Sequence, residues 1–487
     1  MRSFILPLLV LLAVGTFGAA DDRPNIVLIL IDDMGWSDLA CYGNRFNETP
    51  NLNRLAEEGV RFTDAYASCP VCSPTRAAIQ SGQYQVRFGL SDFIAGHWRP
   101  FEKLDTPRTT TFMPAEIVTI GEALAAAGYK TGYFGKWHLG GKPEHLPPGQ
   151  GYAEVIETRG GHFAPGFAAL PKQDIPKGTY LADFLTDKTC EFIRKHRGDG
   201  PFFVQLSHFA VHIPLGARQA KVEKYRDKPK PPEGVNNPVY AAMVEHVDDS
   251  VGRIMQTLEE LGLDENTFVV FTSDNGGLYR RYDGGGEICT TNAPLRGEKG
   301  SLFEGGIRVP LIIRHAGHAK AGATCGEPVI SMDFYPTFLA AAGADAPDQT
   351  LDGESLLPLL ADPAAPLSRD AIYFHYPHYH HSRPASVIRM GDWKLIEFFD
   401  ADAPELYNLA EDLGETTDLA AKHPDRTRTM LAKLAAWREQ VGAKLPVPNP
   451  KYDPAKADQW WNYNTKTPLD TKQLDRWART QEDPLAE

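Results

Sequence analysis

The stretch NIVLILIDD, residues 25–33, sets a run with almost no polar surface directly against two aspartates. Side chains of a strand alternate between its two faces, so a run that is apolar on both belongs to a strand covered on both sides, as in the parallel sheet of an α/β protein. The same texture returns in FFVQLSH from Phe202, TFVVFTSDNGG from Thr267 and VPLIIRH from Val309. Helix signals lie between these runs. Thr49 and Pro50 fit the cap and first position of a helix that Gly59 ends. Thr119 with Glu122 has the pattern of a capping box closed by Gly128, and an amphipathic stretch runs from Val239 to Leu261, before Gly262. Strands alternating with helices predict an α/β sandwich with a large, mostly parallel central sheet.

From about residue 370 the texture changes. Short segments (ASVIRM, DWKLIEFF, ELYNL) are separated by turn residues, and a helical pattern runs from Asp425 to about Val441, which predicts a smaller C-terminal antiparallel sheet with one packing helix. Pro446 to Pro454 and QWWNYNTKTP read as an irregular tail. At the other end Arg2, the apolar run FILPLLVLLAV and the small residues Gly18, Ala19 and Ala20 have the pattern of a secretory signal peptide, too short to span a membrane. The expected organisation is a leader over 1–20, a large domain over 21–370, and a C-terminal subdomain with tail over 371–487. The expected location is periplasmic or extracellular, with no membrane span. There the six cysteines, Cys41, Cys69, Cys72, Cys190, Cys289 and Cys325, meet an oxidising compartment, and spacing does not choose among their pairings. The net charge of −13 argues against nucleic acid as the main partner; an anionic substrate would have to meet cations gathered in a pocket.

Ligands of open α/β sheets sit at the carboxyl ends of the strands. Two apolar runs end there in oxygen-bearing pairs, Asp32 with Asp33 and Asp274 with Asn275, a donor set suited to Ca²⁺ or Mg²⁺, although such residues also serve as ordinary turn formers. A second candidate is CPVCSPTRAAIQSG, residues 69–82. Ser73 fits a helix cap and Pro74 the first helical position, which would put Cys72 just before a helix N-terminus, where free N–H groups favour an anion. Half of a disulfide, or a redox pair of Cys69 and Cys72 without the usual βαβ context, are the other readings of these cysteines.

Cys72-Ser73-Pro74-Thr75-Arg76, followed by Ser81-Gly82, resembles the signature of the type I sulfatases, alkaline-phosphatase-like enzymes in which the cysteine of C-x-P-x-R becomes formylglycine. Further blocks resemble that family in order: NIVLILIDDMG, GYKTGYFGKWH, HIPL, TSDNGG, LRGEKGSLFEGGIRVP and LDGESLLPLL. The resemblance covers roughly residues 24–420. It departs from the pattern where Thr75 replaces the commoner Ser, and Gln80-Ser81 an aliphatic residue and Thr. The resemblance implies hydrolysis of sulfate esters on an alkaline-phosphatase-like fold. It implies a calcium ion, with magnesium as the alternative, held by Asp32, Asp33, Asp274, Asn275 and the modified Cys72. Arg76 would hold the formylglycine hydrate, and Lys136, His138, His212 and Lys299 would bind sulfate and transfer protons, His138 as base and His212 or Lys299 toward the leaving alcohol. The partners implied are a sulfated saccharide and a formylglycine-generating or other maturation enzyme.

Two rival functions remain on this reading: a phosphoester or phosphonate hydrolase of the same superfamily, and a non-catalytic sugar-binding protein on the same scaffold. The substrate expectation rests on HYPHYHHSRP, residues 375–384. Its His375, His378, His380 and Arg383, among aromatic rings, suit a sugar subsite at the rim of the pocket. A solvated loop or a second metal site would use the same residue types. An exo-acting enzyme on a terminal sulfated sugar of the galactose or N-acetylgalactosamine type is the expectation that follows.

Overall fold

The computed structural model describes residues 23–280, 289–471 and 481–486; the predicted leader over 1–20 lies outside them. The central sheet has nine strands, β1 (Asn25–Ile31), β2 (Val60–Phe62), β3 (Lys130–Gly135), β4 (Glu154–Gly160), β5 (Phe167–Leu170), β6 (Phe202–Ser207), β7 (Thr267–Ser273), β8 (Leu311–His315) and β9 (Ala323–Cys325). Their spatial order is β9-β2-β8-β7-β1-β6-β3-β4-β5. The five central strands from β7 to β4 run parallel. The Val309 run departs from expectation, because β8 is antiparallel to both of its neighbours, β7 and β2.

Every residue of β1 is buried, and its parity divides two cores. Val27, Ile29 and Ile31 pack with Leu52 and Leu55 of α1 (Pro50–Glu58), Leu185 and Phe192 of α4 (Leu181–His196), and Val247 and Val251 of α5 (Pro238–Glu260). Ile26, Leu28 and Leu30 face the other way, toward Ala77 and Ile79 of α2 (Cys72–Ser81), Ile120 and Leu124 of α3 (Ile120–Ala126), and Phe334 and Phe338 of α6 (Phe334–Ala342). Burial on both faces is what requires the unbroken apolar run. The capping box that was read is formed, Thr119 and Glu122 exchanging both bonds at α3, and Pro50 opens α1. Thr49 stands at the cap position but its Oγ1 accepts from Ala40 N instead of from the helix, and Asn237 Oδ1, a cap that was not read, accepts from Val239 N and Tyr240 N ahead of α5. α1 stops at Gly59, where a Cβ would lie 2.4 Å from the carbonyl oxygen of Ile313.

The C-terminal part holds an antiparallel sheet of β10 (Ile372–Tyr376), β11 (Ala385–Met390), β12 (Trp393–Phe398) and β13 (Glu405–Asn408), in that order. α7 (Pro424–Gln440) covers it with Met430, Leu434 and Trp437, and the same core takes in Tyr66, Ala78 and Ile307 of the larger part. The tail is less irregular than expected. Val447–Pro448 pairs with Leu104–Asp105, and Trp461–Asn462 with His97–Trp98.

Candidate active site

The two acidic pairs meet because their strands are neighbours in register. Ile31 lies opposite Ser273, so Asp32 leaves the sheet beside Asp274, and Asp33 beside Asn275. Asp33 holds φ 63°, a left-handed conformation unusual for a residue with a Cβ, and is fixed from several sides. Its N–H donates to Asp274 Oδ1 at 3.2 Å, and its carboxylate accepts from Asn275 Nδ2 and Lys299 Nζ, each at 2.8 Å. Lys136 Nζ donates to Asp32 Oδ2 at 2.6 Å, and Arg76 Nε to Asp274 Oδ2 at 2.8 Å. His212 Nε2 stands 3.5 Å from Asp33 Oδ2.

Cys72 opens α2 as its first residue; the expected cap at Ser73 is not used. Val71 occupies the cap position, and Ser73 Oγ instead accepts from Ile94 N at 3.1 Å. The cysteine side chain therefore sits on the first turn, where backbone N–H groups are unpaired. Arg76 follows one turn on, buried, with Nη1 donating to Lys136 O at 2.7 Å. Lys136 and His138 follow the end of β3, and His138, with φ 64°, turns its ring to Cys72, Nδ1 lying 3.3 Å from Sγ. The other ring nitrogen, Nε2, bonds the carbonyl oxygen of Ile94 and must donate to it, so the neutral ring presents a bare Nδ1 to Cys72. In His212 the roles of the nitrogens are reversed: Nδ1 donates to Ile213 O at 2.5 Å, leaving Nε2 toward the acidic pair. All six cysteines are unpaired, and Cys69 is buried, its N–H on Thr75 Oγ1.

Burial opposes the charge on Asp32, but Lys136, then His212, Arg76 and Lys299 outweigh it and hold the carboxyl far below its ordinary range. Asp33 is held down too, against burial, chiefly by Lys299. Burial and then the Asp32 charge push Asp274 up to about 7. Burial raises the Cys72 thiol, so an unmodified sulfur there stays protonated and is a weak nucleophile. Burial, with Lys136 beside one ring and Lys299 beside the other, keeps His138 and His212 neutral, His212 at about 4. The residues fit a hard divalent cation. Asp32, Cys72 and Asp274 each bring one ligand atom within 4.8 Å of the others, as do Asp32, Asp33 and His212. Asp32 Oδ1 and Asn275 Oδ1 are buried oxygens with no hydrogen bond among the described residues.

A cleft of about 710 Å³ opens over this cluster, lined by Cys72, Lys136, His138, His212 and Lys299. Of the His-rich segment only His380 reaches it. His375 belongs to β10, not to a loop; it is buried, with Nδ1 on Ser386 Oγ at 2.7 Å and Nε2 on Lys444 O at 3.0 Å. His378 is buried against Ser91 Oγ at 2.9 Å. Arg383 lies over the Phe398 ring at 4.0 Å and pairs with Asp400. These three are packing and pairing residues of the C-terminal part. Phe93, His97, Glu157, Arg159 and Phe209 line the cleft without having been foreseen. No motif marks them; only the same-face spacing of Glu157 and Arg159 on β4 offers a signal.

The family model Sulfatase matches residues 24–344, and the model described as N-sulphoglucosamine sulphohydrolase, C-terminal, matches residues 298–440. Among curated proteins the chain is 32% identical to human arylsulfatase A over 88% of this chain and 89% of that protein. It is 35% identical to mouse N-acetylgalactosamine-6-sulfatase over 90% and 85%. The crystal structure of Ps i-CgsB in complex with k-i-k-neocarrahexaose superposes with a TM-score of 0.74 at 28% identity, covering 91% of this chain and 97% of that one. The chain belongs to the type I sulfatase family of the alkaline-phosphatase-like superfamily and is a sulfuric ester hydrolase.

Proposed function

We propose that this sulfatase removes sulfate from a terminal sugar of a sulfated saccharide, of the galactose or N-acetylgalactosamine type, using a formylglycine made from Cys72 and a calcium ion at Asp32, Asp33, Asp274 and Asn275. The observation that carries the reading is the position of Cys72 in the cleft, between the bare Nδ1 of His138 and the oxygen cluster at the strand ends. An oxygen in place of the cysteine sulfur would make the donor set all-oxygen, which is the chemistry calcium prefers. A hydrated aldehyde at position 72 would supply one hydroxyl to attack sulfur and a second to release sulfate, and a cation held by Asp32, Asp33, Asp274 and Asn275 would neutralise sulfate charge.

The chain's own residues do the rest. Lys136 and Lys299 line the cleft with charges that offset the anionic oxygens of the ester, and Arg76 fixes Asp274 from beneath. His138 Nδ1 accepts a proton from position 72. His212, stacked on Phe209 with ring centres 5.0 Å apart, and Lys299 stand on the side from which a leaving alcohol takes its proton. Walls of Phe93, His97, Phe209 and His380 suit the flat faces of pyranose rings. Two relatives with carbohydrate names, the N-acetylgalactosamine-6-sulfatase and the neocarrahexaose complex, support a sugar substrate. Among the described residues no helix is long and apolar enough to cross a membrane. With the predicted leader, that agrees with an exported enzyme matured before use.

Two measurements test the reading. Mass spectrometry of the peptide holding Cys72 should find an aldehyde that a hydrazide captures. Sulfate release from a panel of sulfated mono- and oligosaccharides, with an aryl sulfate and an aryl phosphate as references, should favour terminal galactose-type sugars. An intact thiol in fully active protein, or activity confined to the phosphate, would overturn it.

A further inference from the structure

Glu157 and Arg159 stand two apart on β4, on one face, and both line the cleft. Glu157 is opposite Gly135 of β3, the residue before Lys136, so its carboxylate leaves the sheet at the same edge as the catalytic cluster. Its side chain is only 3% exposed, with Oε1 on Arg159 Nε at 2.7 Å, while Oε2 is buried and has no hydrogen bond among the described residues. A carboxyl oxygen left unpaired at the wall of a cleft is an acceptor waiting for a donor. Arg159 lines the cleft, is 54% exposed and uses only Nε on Glu157, so among the described residues its terminal nitrogens make no hydrogen bond. Lys136 and Lys299 are taken up by Asp32 and Asp33 at the floor, well suited to the ester being cut rather than to a second anion.

We infer that this pair is the specificity element of the leaving-group subsite: Glu157 Oε2 accepts from a sugar hydroxyl, and Arg159 binds a second anionic group, a sulfate or carboxylate, on that sugar or on the next unit. The inference rests on the sugar-sulfatase reading above and names the substrate class as saccharides with more than one anionic group. The pairing is mutually reinforcing. Arg159 Nε fixes the Glu157 carboxylate, and the same contact fixes the guanidinium, whose planar fork suits bidentate contact with sulfate or carboxylate.

The test compares Glu157→Gln and Arg159→Gln with the parent enzyme on four substrates: an aryl sulfate, a monosulfated monosaccharide, the same monosaccharide carrying two sulfates, and a disaccharide whose second unit carries the extra anion. Both variants should hydrolyse the aryl sulfate within about twofold of the parent, which also reports that they fold and mature. Glu157→Gln should lower kcat/KM on all three saccharides by about 10- to 100-fold. Arg159→Gln should leave the monosulfated sugar unchanged and lose about tenfold on whichever doubly anionic substrate the parent prefers, which identifies the source of the second anion. Calorimetric titration of Cys72→Ala protein with the same saccharides gives the binding difference without turnover. Equal losses on aryl and sugar sulfates, or no loss on any saccharide, overturn the inference while leaving the parent's sugar activity standing. A parent inactive on every saccharide overturns both.

Discussion

Glu304 and Asp33 are both carboxylates sunk in the interior and both held by a lysine, yet their surroundings differ in kind. Around Glu304 the charges form a closed lock between the two sheets. Lys394 of β12, fully buried, reaches Glu304 at 2.9 Å and Glu415 at 2.8 Å, while Arg308 and Arg389 both grip Asp64. Glu304 also takes the Tyr66 hydroxyl at 2.7 Å. Around Asp33 the cluster opens onto the cleft, Asp32 Oδ1 meets Arg76 only at 3.9 Å, and Asn275 Oδ1 has no partner among the described residues. Buried charge thus plays two parts in one molecule: in the first cluster each carboxylate is paired with a cation and the set specifies how the C-terminal sheet docks, and the second is a socket on the cleft that further positive charge would complete.

The largest expected difference between the two is in catalysis. Cys72→Ala and Cys72→Ser should lose at least about 1000-fold in kcat with Tm nearly unchanged, because the socket's function depends on position 72 and its packing does not. Cys69→Ala, at a buried site away from the cleft, should keep turnover within a few-fold. Sulfate release per folded molecule measures both. Retained activity in Cys72→Ala would break the assignment.

The lock should respond in stability instead. Lys394→Met takes the cation from Glu415 and leaves Glu304, which faces it, with Arg308 at 3.2 Å; removal of one partner from a buried ion pair costs about 3–5 kcal/mol. Urea denaturation should read that loss, with kcat/KM of the folded fraction unchanged. Adding Glu415→Leu to Lys394→Met should recover part of the stability, since the uncompensated charge goes with it. A catalytic defect in Lys394→Met as large as the stability defect would erase the distinction between lock and socket.

How much of this could be read beforehand follows from the same physics. The socket was legible because two-sided burial forces an unbroken apolar run, and an acidic pair at the end of such a run stands out; Asp32, Asp33, Asp274 and Asn275 do converge. Strand direction was not, because β8 is buried on both faces whichever way it runs, and the Val309 run reads like its parallel neighbours. Composition misled at HYPHYHHSRP. His375 belongs to a strand and His378 to the packing beneath it, so only His380 of these histidines reaches the cleft. Glu157 and Arg159 were passed over for the opposite reason: their same-face spacing is a signal, but a charged pair at alternate strand positions looks like a solvated face and only the fold turns that face into a cleft wall.

Chelation separates the two regions next. A cation at 100 times its Kd stabilises by about 2.7 kcal/mol, so a chelator should lower Tm by a few degrees and added calcium restore it. Lys394→Met should keep that response, and Asp274→Asn should lose most of it. Scanning calorimetry with and without chelator makes the comparison. A chelator response that survives Asp274→Asn would move the metal away from the strand ends.

The smallest effect is a difference of sign in pH dependence. Burial, with Glu304 adding its repulsion against the attraction of Lys394, pushes Glu415 from 4.5 up to about 7. The folded chain then holds that proton more tightly than the unfolded chain, so the contribution is fully present below about 4.5 and is lost as pH rises toward 7. Asp33 behaves in the opposite way: its carboxyl is held below 3.8, mainly by Lys299 against burial, so its contribution is present above that value and lost as pH falls. Glu415→Gln should therefore flatten the part of the stability curve between about pH 5 and 7, by on the order of 1–3 kcal/mol, and leave the acid limb alone. Urea titrations at several pH values in calcium-containing buffer read both limbs at once. Parallel curves for Glu415→Gln and the parent across that window would mean that Glu415 is ionised in the folded chain as in the unfolded one, so that the lock stands as a full charge pair and Lys394→Met should cost the whole of about 3–5 kcal/mol.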